Sequence, residues 1–233
     1  MQNINQYRKK AGLIIILYLL YFALCIKGDI GYAKIVNVTG KALYSVDSKW
    51  KPIEPNKIIY EGTTIKTGDK SNIDIYIKQG RTYIRMMTNT TIVLEKMHFK
   101  YNASTEIEAD TTLKIDNGSI KVMVDSTAFS HSELNVKAPF GQSKATKSEY
   151  DINAKGVVCV NSGEIQIKDT NNVSVSEAYI ITKGKTIIFP LNNDNNKIPI
   201  IKETADDTNN INEAVYKGIR EMYNKIDPIS FDD

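Results

Sequence analysis

Residue types that usually carry out enzyme chemistry are sparse in this chain of 233 residues. It contains two histidines, His98 and His131, and two cysteines, Cys25 and Cys159. Neither histidine lies in a recognisable metal-ligand pattern, and two cysteines are too few for a four-sulfur zinc site. Cys159 lies in an apolar run, without the turn or helix terminus that activates a nucleophile. The sequence therefore predicts no catalytic residue, no metal and no cofactor.

Three acidic residues alternate at Glu106, Glu108 and Asp110. In a strand they would share one face, because successive side chains point to opposite sides. Paired carboxylates can serve a glycosidase or a weak calcium site, whereas a charged run of this kind is more often a solvated face. A secreted carboxylate-dependent hydrolase is therefore our third-ranked function, behind two binding functions.

Short segments that are typical of β-strands recur from residue 34 to about residue 190. Residues 73–77 alternate apolar and polar side chains with period two, as a half-buried strand does. No segment of this region has a helical period. The all-β class is therefore predicted, with further strands at residues 83–86, 91–94, 113–115, 120–124, 157–160, 165–167, 179–181 and 187–189.

Glycines separate several of these segments in the same way. Gly80, Gly118, Gly163 and Gly184 each lie between two apolar alternations, next to polar residues. Asn117-Gly118 fits a type I′ hairpin best, because both residues tolerate a positive φ. We therefore predict stacked hairpins with uneven loops.

Residues 1–33 have the form of a secretory signal peptide. A basic start ends at Lys10, residues 11–26 carry no charge, and small residues stand at Gly31 and Ala33. An apolar run of this length rises about 24 Å as a helix, less than the roughly 30 Å hydrocarbon core of a bilayer. The pattern predicts export with cleavage after Ala33. An uncleaved signal anchor is the alternative, with membrane contact only through residues 11–26.

The charge of the chain does not indicate a nucleic-acid partner. Its 30 Lys and Arg and 27 Asp and Glu give +3, and residues 1–33 alone hold four basic residues and one acidic residue. The remainder is formally neutral, so it has no basic surface excess. Cleavage would also remove Cys25, and we expect the remaining Cys159 to be buried.

The composition changes after Pro190. Residues 191–207 are polar and Asn-rich, which is typical of a linker. In the C-terminal segment, residues 208–233, apolar residues then recur at spacings of three and four, which predicts an amphipathic helix over 208–226. We expect this helix to pack on a sheet edge or to close one end of the stack, with partner binding as the alternative. Its apolar residues are Ile211, Ala214, Val215, Ile219, Met222 and Ile226.

Residues 34–190 resemble the FecR-like extracytoplasmic domain family. The family pattern has a strand and a glycine, then a tryptophan before a proline, then G-x-x-I-x-T-G-x-x-S. An alternating strand, a glycine turn and a threonine-rich strand follow, and the match extends over about sixty residues here. The matching residues are Gly40, Trp50, Gly62, Thr67, Gly68, Asp69, Ser71 and Gly80, and later turns contain Asn117, Gly118 and Gly163.

We expect these motif residues to shape the domain. Thr67-Gly68-Asp69 should form a turn in which Gly68 takes a positive φ and the side chains of Asp69 and Ser71 accept backbone hydrogen bonds. Trp50 offers a large apolar surface and should close an end of the stack.

The resemblance implies short strands folded over into two facing, solenoid-like sheets, between an N-terminal signal helix and one C-terminal amphipathic helix. It also implies a non-enzymatic interaction domain in the periplasm or cell envelope, without the cytoplasmic part that regulates a sigma factor. The expected partner is an envelope protein that binds by strand addition. Thirteen tyrosines and Trp50 make cell-wall or other glycan binding the second-ranked function.

Overall fold

The computed structural model describes residues 29–78, 80–101, 107–125, 130–170, 178–190, 198–204, 216–218 and 220–221. The all-β class is confirmed, and residues 216–218 and 220–221 are helical. The strands are β1 (Asp29–Ile30), β2 (Tyr32–Thr39), β3 (Ala42–Ser45), β4 (Lys51–Pro52), β5 (Ile58–Tyr60), β6 (Thr64–Thr67), β7 (Asn72–Ile77), β8 (Thr82–Met86), β9 (Thr91–Tyr101), β10 (Ile107–Asn117), β11 (Ser119–Val124), β12 (Ser130–Ala138), β13 (Gly141–Ala145), β14 (Ser148–Asn153), β15 (Val157–Asp169), β16 (Tyr179–Thr182), β17 (Lys185–Ile188) and β18 (Ile200–Glu203).

The strands form two sheets. Sheet A has the order β4-β3-β6-β9-β10-β12-β13-β15-β16, and β1 pairs with β9 on the same side as β6. Sheet B has the order β5-β2-β7-β8-β11-β14-β15-β17-β18. Strand β15 belongs to both sheets, because residues 157–163 pair in sheet B and residues 164–169 pair in sheet A. The two sheets are thus continuous through one long strand.

One apolar cluster lies between the sheets. Every second residue of most strands points into it, and β-branched side chains dominate because they pack well on a pleated surface. The two facing sheets therefore share a single core. Its buried members include Ile35, Ile75, Ile84, Val122 and Ile152 from sheet B, and Ile65, Ile92, Leu113, Val136 and Ile165 from sheet A.

The solenoid character is clearest at β10, β11 and β12. The chain runs along β10 in sheet A, crosses to sheet B for β11, and returns to sheet A as β12, which pairs in parallel with β10. The other strand pairs are antiparallel. Strands β10, β11 and β12 thus form one complete turn of a solenoid, and the strands around them pair in antiparallel fashion.

The predicted hairpins are only partly correct. Gly80 does turn between β7 and β8, which pair with each other. By contrast, Gly118 joins strands of different sheets, Gly163 lies inside β15, and Gly184 joins β16 of sheet A to β17 of sheet B. The type I′ hairpin at Asn117-Gly118 is therefore wrong. Only Gly118 has a positive φ, of 83°, whereas this turn requires positive φ at both residues.

The first strands begin before the predicted domain boundary. Strand pairing starts at Asp29, five residues ahead of residue 34, and Ala33 is fully buried in β2 between Ile59 and Ile77. A cut after Ala33 would remove β1, Tyr32 and Ala33, which this fold uses. Residues 1–28 lie outside the described part of the chain, so the leader and its cleavage stay predictions.

Candidate interaction surfaces

The chain crosses between the sheets at corners that stack on one another. On one side the corners contain Lys41, Gly68, Asn89 and Gly118, which we call the first corner column. The Gly68 N–H donates to the Lys41 carbonyl at 2.9 Å, and the Asn89 N–H donates to the Gly68 carbonyl at 3.1 Å. Asn117 Nδ2 donates to the Asn89 carbonyl at 3.2 Å. Successive corners are thus bonded directly to each other.

Buried hydroxyls reinforce this column. Thr67 Oγ1 donates to the Met87 carbonyl at 2.6 Å and accepts the Thr90 N–H at 2.9 Å. Ser71 Oγ accepts the Lys41 N–H at 2.9 Å. These backbone groups are thereby satisfied away from water. Thr67 and Ser71 are therefore structural residues that hold neighbouring corners together.

The expected turn geometry at the motif is corrected in two details. Gly68 does not have a positive φ; Lys70 does, at 48°. Ser71 accepts a backbone donor as expected, but Asp69 takes part through its carbonyl, which accepts the Ser71 hydroxyl at 2.8 Å. Gly62, earlier in the motif, has a φ of 83° and its N–H donates to the Leu94 carbonyl at 2.8 Å.

Trp50 does not close an end of the stack. It is 44% exposed, just before β4, and Lys66 Nζ lies 4.9 Å from the centre of its ring. A cation over an exposed indole is a surface contact. The expectation was wrong because the indole ring lies on the surface, where it contacts Lys66 and not the core.

A second corner column lies on the opposite side of the sheets, at Lys147, Gly163 and Gly184. The Lys183 N–H donates to the Gly163 carbonyl at 3.0 Å. A Cβ on Gly163, whose φ is 73°, would lie 2.2 Å from the Lys147 carbonyl oxygen. This close approach requires glycine.

The residues considered for chemistry are dispersed. Glu108 is exposed on the outer face of sheet A, where Asp110 forms an ion pair with Lys96. Cys159 is buried, as predicted, and its Sγ lies 3.4 Å from Thr204 Oγ1. Among the described residues, no group of three or more His, Cys, Asp or Glu could hold a metal. Glu106 and Cys25 lie outside the described residues, and His131 lies in β12.

The described residues of the C-terminal helix contact the outer face of sheet B. We call Tyr76, Tyr83, Met123, Glu149 and Asp151 the helix-binding face. Strand register places Tyr76 opposite Tyr83, Tyr83 opposite Met123, and Met123 opposite Glu149. These residues come from four neighbouring strands. They form one continuous surface.

Tyr216 of the helix is fully buried on this face. It packs in one cluster with Tyr76, Tyr83 and Met123, and its hydroxyl donates to Asp151 Oδ1 at 2.7 Å. Burial and the charge of Asp151 raise the pKa of Tyr216 well above its usual value. The phenol therefore stays protonated and keeps its donor role at neutral pH.

One helical turn later, Arg220 forms a bidentate pair with Glu149. Its Nε lies 2.6 Å from Oε1 and its Nη2 lies 2.5 Å from Oε2. Bidentate guanidinium pairs fix orientation as well as contributing energy. The helix thus packs on an outer face, whereas we expected a sheet edge or an end of the stack. Its predicted apolar stripe lies outside the described residues.

Two ion pairs within sheet B lie beside these contacts. Arg85 binds the fully buried Asp74 through Nε at 2.6 Å and Nη2 at 3.0 Å. The hydrogen bond to Asp74 raises the pKa of Arg85, and burial raises the pKa of Tyr83, with the Asp74 charge adding to the effect. Lys121 Nζ lies 2.6 Å from Asp151 Oδ2 and 5.7 Å from the Tyr216 ring centre.

The C-terminal end of the stack is the second candidate surface. Strand β18 is exposed along its whole length. Among the described strands, none pairs with the edge of β18 that faces away from β17. The isoleucines on and near this end are 47–74% exposed, which exposes apolar surface beside an open strand edge; they are Ile180, Ile198, Ile200 and Ile201.

The backbone direction at β18 follows from one hydrogen bond. The Thr204 N–H donates to the Gly184 carbonyl at 2.8 Å. Because N–H groups alternate along an antiparallel strand, those of Ile201 and Glu203 point to the open edge. By the same alternation, position 199 also faces the open edge. Pro199 has no N–H, and its presence there costs no hydrogen bond to β17.

A shallow depression on the surface is the third candidate. Its volume is about 460 Å³, and it is lined by Tyr60, Glu61, Gly62, Glu95 and His98. Tyr60 is exposed, and His98 Nε2 lies 3.1 Å from Glu61 Oε2. An aromatic ring beside carboxylates can stack on a sugar and accept its hydroxyl protons.

Comparisons with known proteins find solved structures of limited similarity to this chain. No protein-family model and no curated protein matches the chain. Two crystal structures of a candidate anti-sigma factor from Parabacteroides distasonis ATCC 8503, at 1.65 and 2.50 Å resolution, resemble it with TM-scores of 0.45 and 0.44. Sequence identity is 12% in both cases, and each alignment covers 60% of this chain and 59% of the other. Among the described residues, no helix is long and apolar enough to cross a bilayer.

Proposed function

We propose that the protein is an exported, non-enzymatic interaction domain of FecR type in the bacterial cell envelope. It binds a protein partner by strand addition at the open edge of β18. The observation that carries this proposal is the edge itself, with outward N–H groups at Ile201 and Glu203 and exposed isoleucines beside them. A partner strand would gain backbone hydrogen bonds there and cover apolar surface.

The charge on β18 favours a different protein as the binding partner over a second copy of this chain. If two β18 strands paired through Ile201 and Glu203, Lys202 would lie directly opposite Lys202 of the second copy. Like charges in directly opposite positions are destabilising. A partner strand with an acidic or neutral residue at that position avoids the repulsion.

A backbone substitution tests strand addition. Ile201→Pro removes the outward N–H but no bond to β17, whereas Ile201→Ala removes only side-chain surface. We expect the proline variant to bind its partner about fivefold more weakly than the alanine variant, because a net hydrogen bond contributes about 1 kcal/mol. The measurement is the yield of partner adduct from a photoreactive residue at position 198 in the producing cells. Equal yields from the two variants would contradict strand addition at this edge.

The depression at Tyr60 favours a second candidate function, the binding of cell-wall or other glycans. If glycan binding is correct, purified protein will be retained on intact peptidoglycan, and Tyr60→Ala will abolish the retention. Trp50→Ala is the matched control, because Trp50 is also an exposed aromatic residue but does not line the depression. No retention of the unaltered protein, or equal loss in both variants, would count against this function.

A further inference from the structure

We propose that the helix-binding face of sheet B is a binding site for a partner helix that carries a tyrosine and an arginine four residues apart. The chain's own C-terminal helix, with Tyr216 and Arg220 at that spacing, occupies the site until a partner helix displaces it. The proposal concerns sheet B's outer face and is independent of the edge of β18.

The spacing of the acceptors matches a helix. Glu149 and Asp151 are two residues apart on β14, so their side chains are about 7 Å apart on one face of the sheet. Residues four apart on a helix are about 6 Å apart on one side. A helix running along β14 therefore places a phenol on Asp151 and a guanidinium on Glu149 at the same time, as Tyr216 and Arg220 show.

Two of the three acidic residues on or beside the face, Asp74, Glu149 and Asp151, stay paired when the helix leaves. Asp74 is bound by Arg85, and Asp151 by Lys121, entirely within sheet B. An uncompensated buried charge would make removal of the helix very costly, and these pairs avoid that cost at two of the three acidic residues. Only Glu149 loses its bidentate partner.

The apolar side chains of the face, which are buried together with Tyr216, explain why an empty face would bind a helix again. Without Tyr216, the side chains of Tyr76, Tyr83 and Met123 would present a contiguous apolar surface beside two carboxylates. Aromatic clusters with a paired guanidinium are the usual centres of binding energy at interfaces. The attached helix competes strongly because covalent attachment raises its effective concentration at the face.

A labelled synthetic peptide with the sequence of residues 208–226 is the probe for the site. The full-length chain with both Tyr216→Ala and Arg220→Ala should bind this peptide at least tenfold more tightly than the unaltered chain, because its own helix no longer competes. Adding Glu149→Gln to that variant should remove most of the gain. A peptide with the same two alanines should bind neither chain. Fluorescence anisotropy measures each of these affinities.

Equal peptide affinity for the unaltered chain and the double variant would overturn the proposal, provided that circular dichroism shows both folded. If the double variant does not fold, Arg220→Gln alone removes one contact and leaves Tyr216 in place. It should still bind the peptide more tightly than Lys217→Gln, which changes an exposed residue of the same helix. Equal affinities of these two variants would also overturn the proposal.

Discussion

Replacing Gly118 by alanine will destabilise the protein far more than the same replacement at Gly62. Both glycines have a φ of 83°, so an alanine is strained equally at both. A Cβ at Gly118 would lie 2.3 Å from Thr90 Oγ1 and 2.5 Å from Thr90 Cα, whereas nothing lies within 4 Å at Gly62. We expect a loss of about 1–2 kcal/mol at Gly62 and about 3–5 kcal/mol at Gly118, where strain and overpacking add.

Urea unfolding of the two variants measures this difference. Gly163→Ala is an independent test, because its Cβ would meet the Lys147 carbonyl in the second corner column. It should resemble Gly118→Ala. Equal losses at Gly62 and Gly118 would mean that the corners are not in the close contact described here.

Replacing Arg85 by methionine will also have a large effect. Asp74 is fully buried, and Arg85 is its bidentate partner, so the substitution leaves a buried carboxylate without its counter-charge. We expect a loss of about 3–5 kcal/mol in the free energy of unfolding. The double variant Asp74→Asn with Arg85→Met should lose less than the sum of the single variants, because the two groups interact directly.

Lys96→Met is the matched control for Arg85→Met. Lys96 pairs with Asp110 on the outer face of sheet A, where the two side chains are 41% and 46% exposed. An exposed pair contributes at most about 1 kcal/mol, so this variant should be close to the unaltered protein. Similar losses for the two substitutions would show that sheet B's outer face is not covered.

Much of the strand pattern could be predicted because apolar alternation survives wherever only one side of a strand faces the core. It fails at β12–β14, where buried Ser132, Asn135, Ser143 and Ser148 interrupt the apolar period. The same pattern also predicts two short strands, at residues 157–160 and 165–167, where the structure has the single strand β15. Gly163 between them looks like a hairpin turn, although the strand continues through it into the other sheet.

The helix-binding face was missed for a related reason. Residues 73–77 were predicted to form a half-buried strand, but β7 is buried on both faces because Asp74 and Tyr76 are covered as well. The helical contacts come from Tyr216 and Arg220, which are not part of the apolar stripe used to predict the helix. The useful signal would have been an aromatic residue and an arginine four residues apart. Apolar periodicity does not detect that pair.

The central claim is that this protein recognises a partner through the C-terminal end of its stacked sheets. In-cell photo-cross-linking tests it most directly, with a photoreactive residue at position 198 in one chain and at position 114, on the outer face of sheet A, in another. We predict one discrete protein adduct from position 198 and none from position 114. Adducts of equal yield from both positions, or from position 114 alone, would contradict the claim.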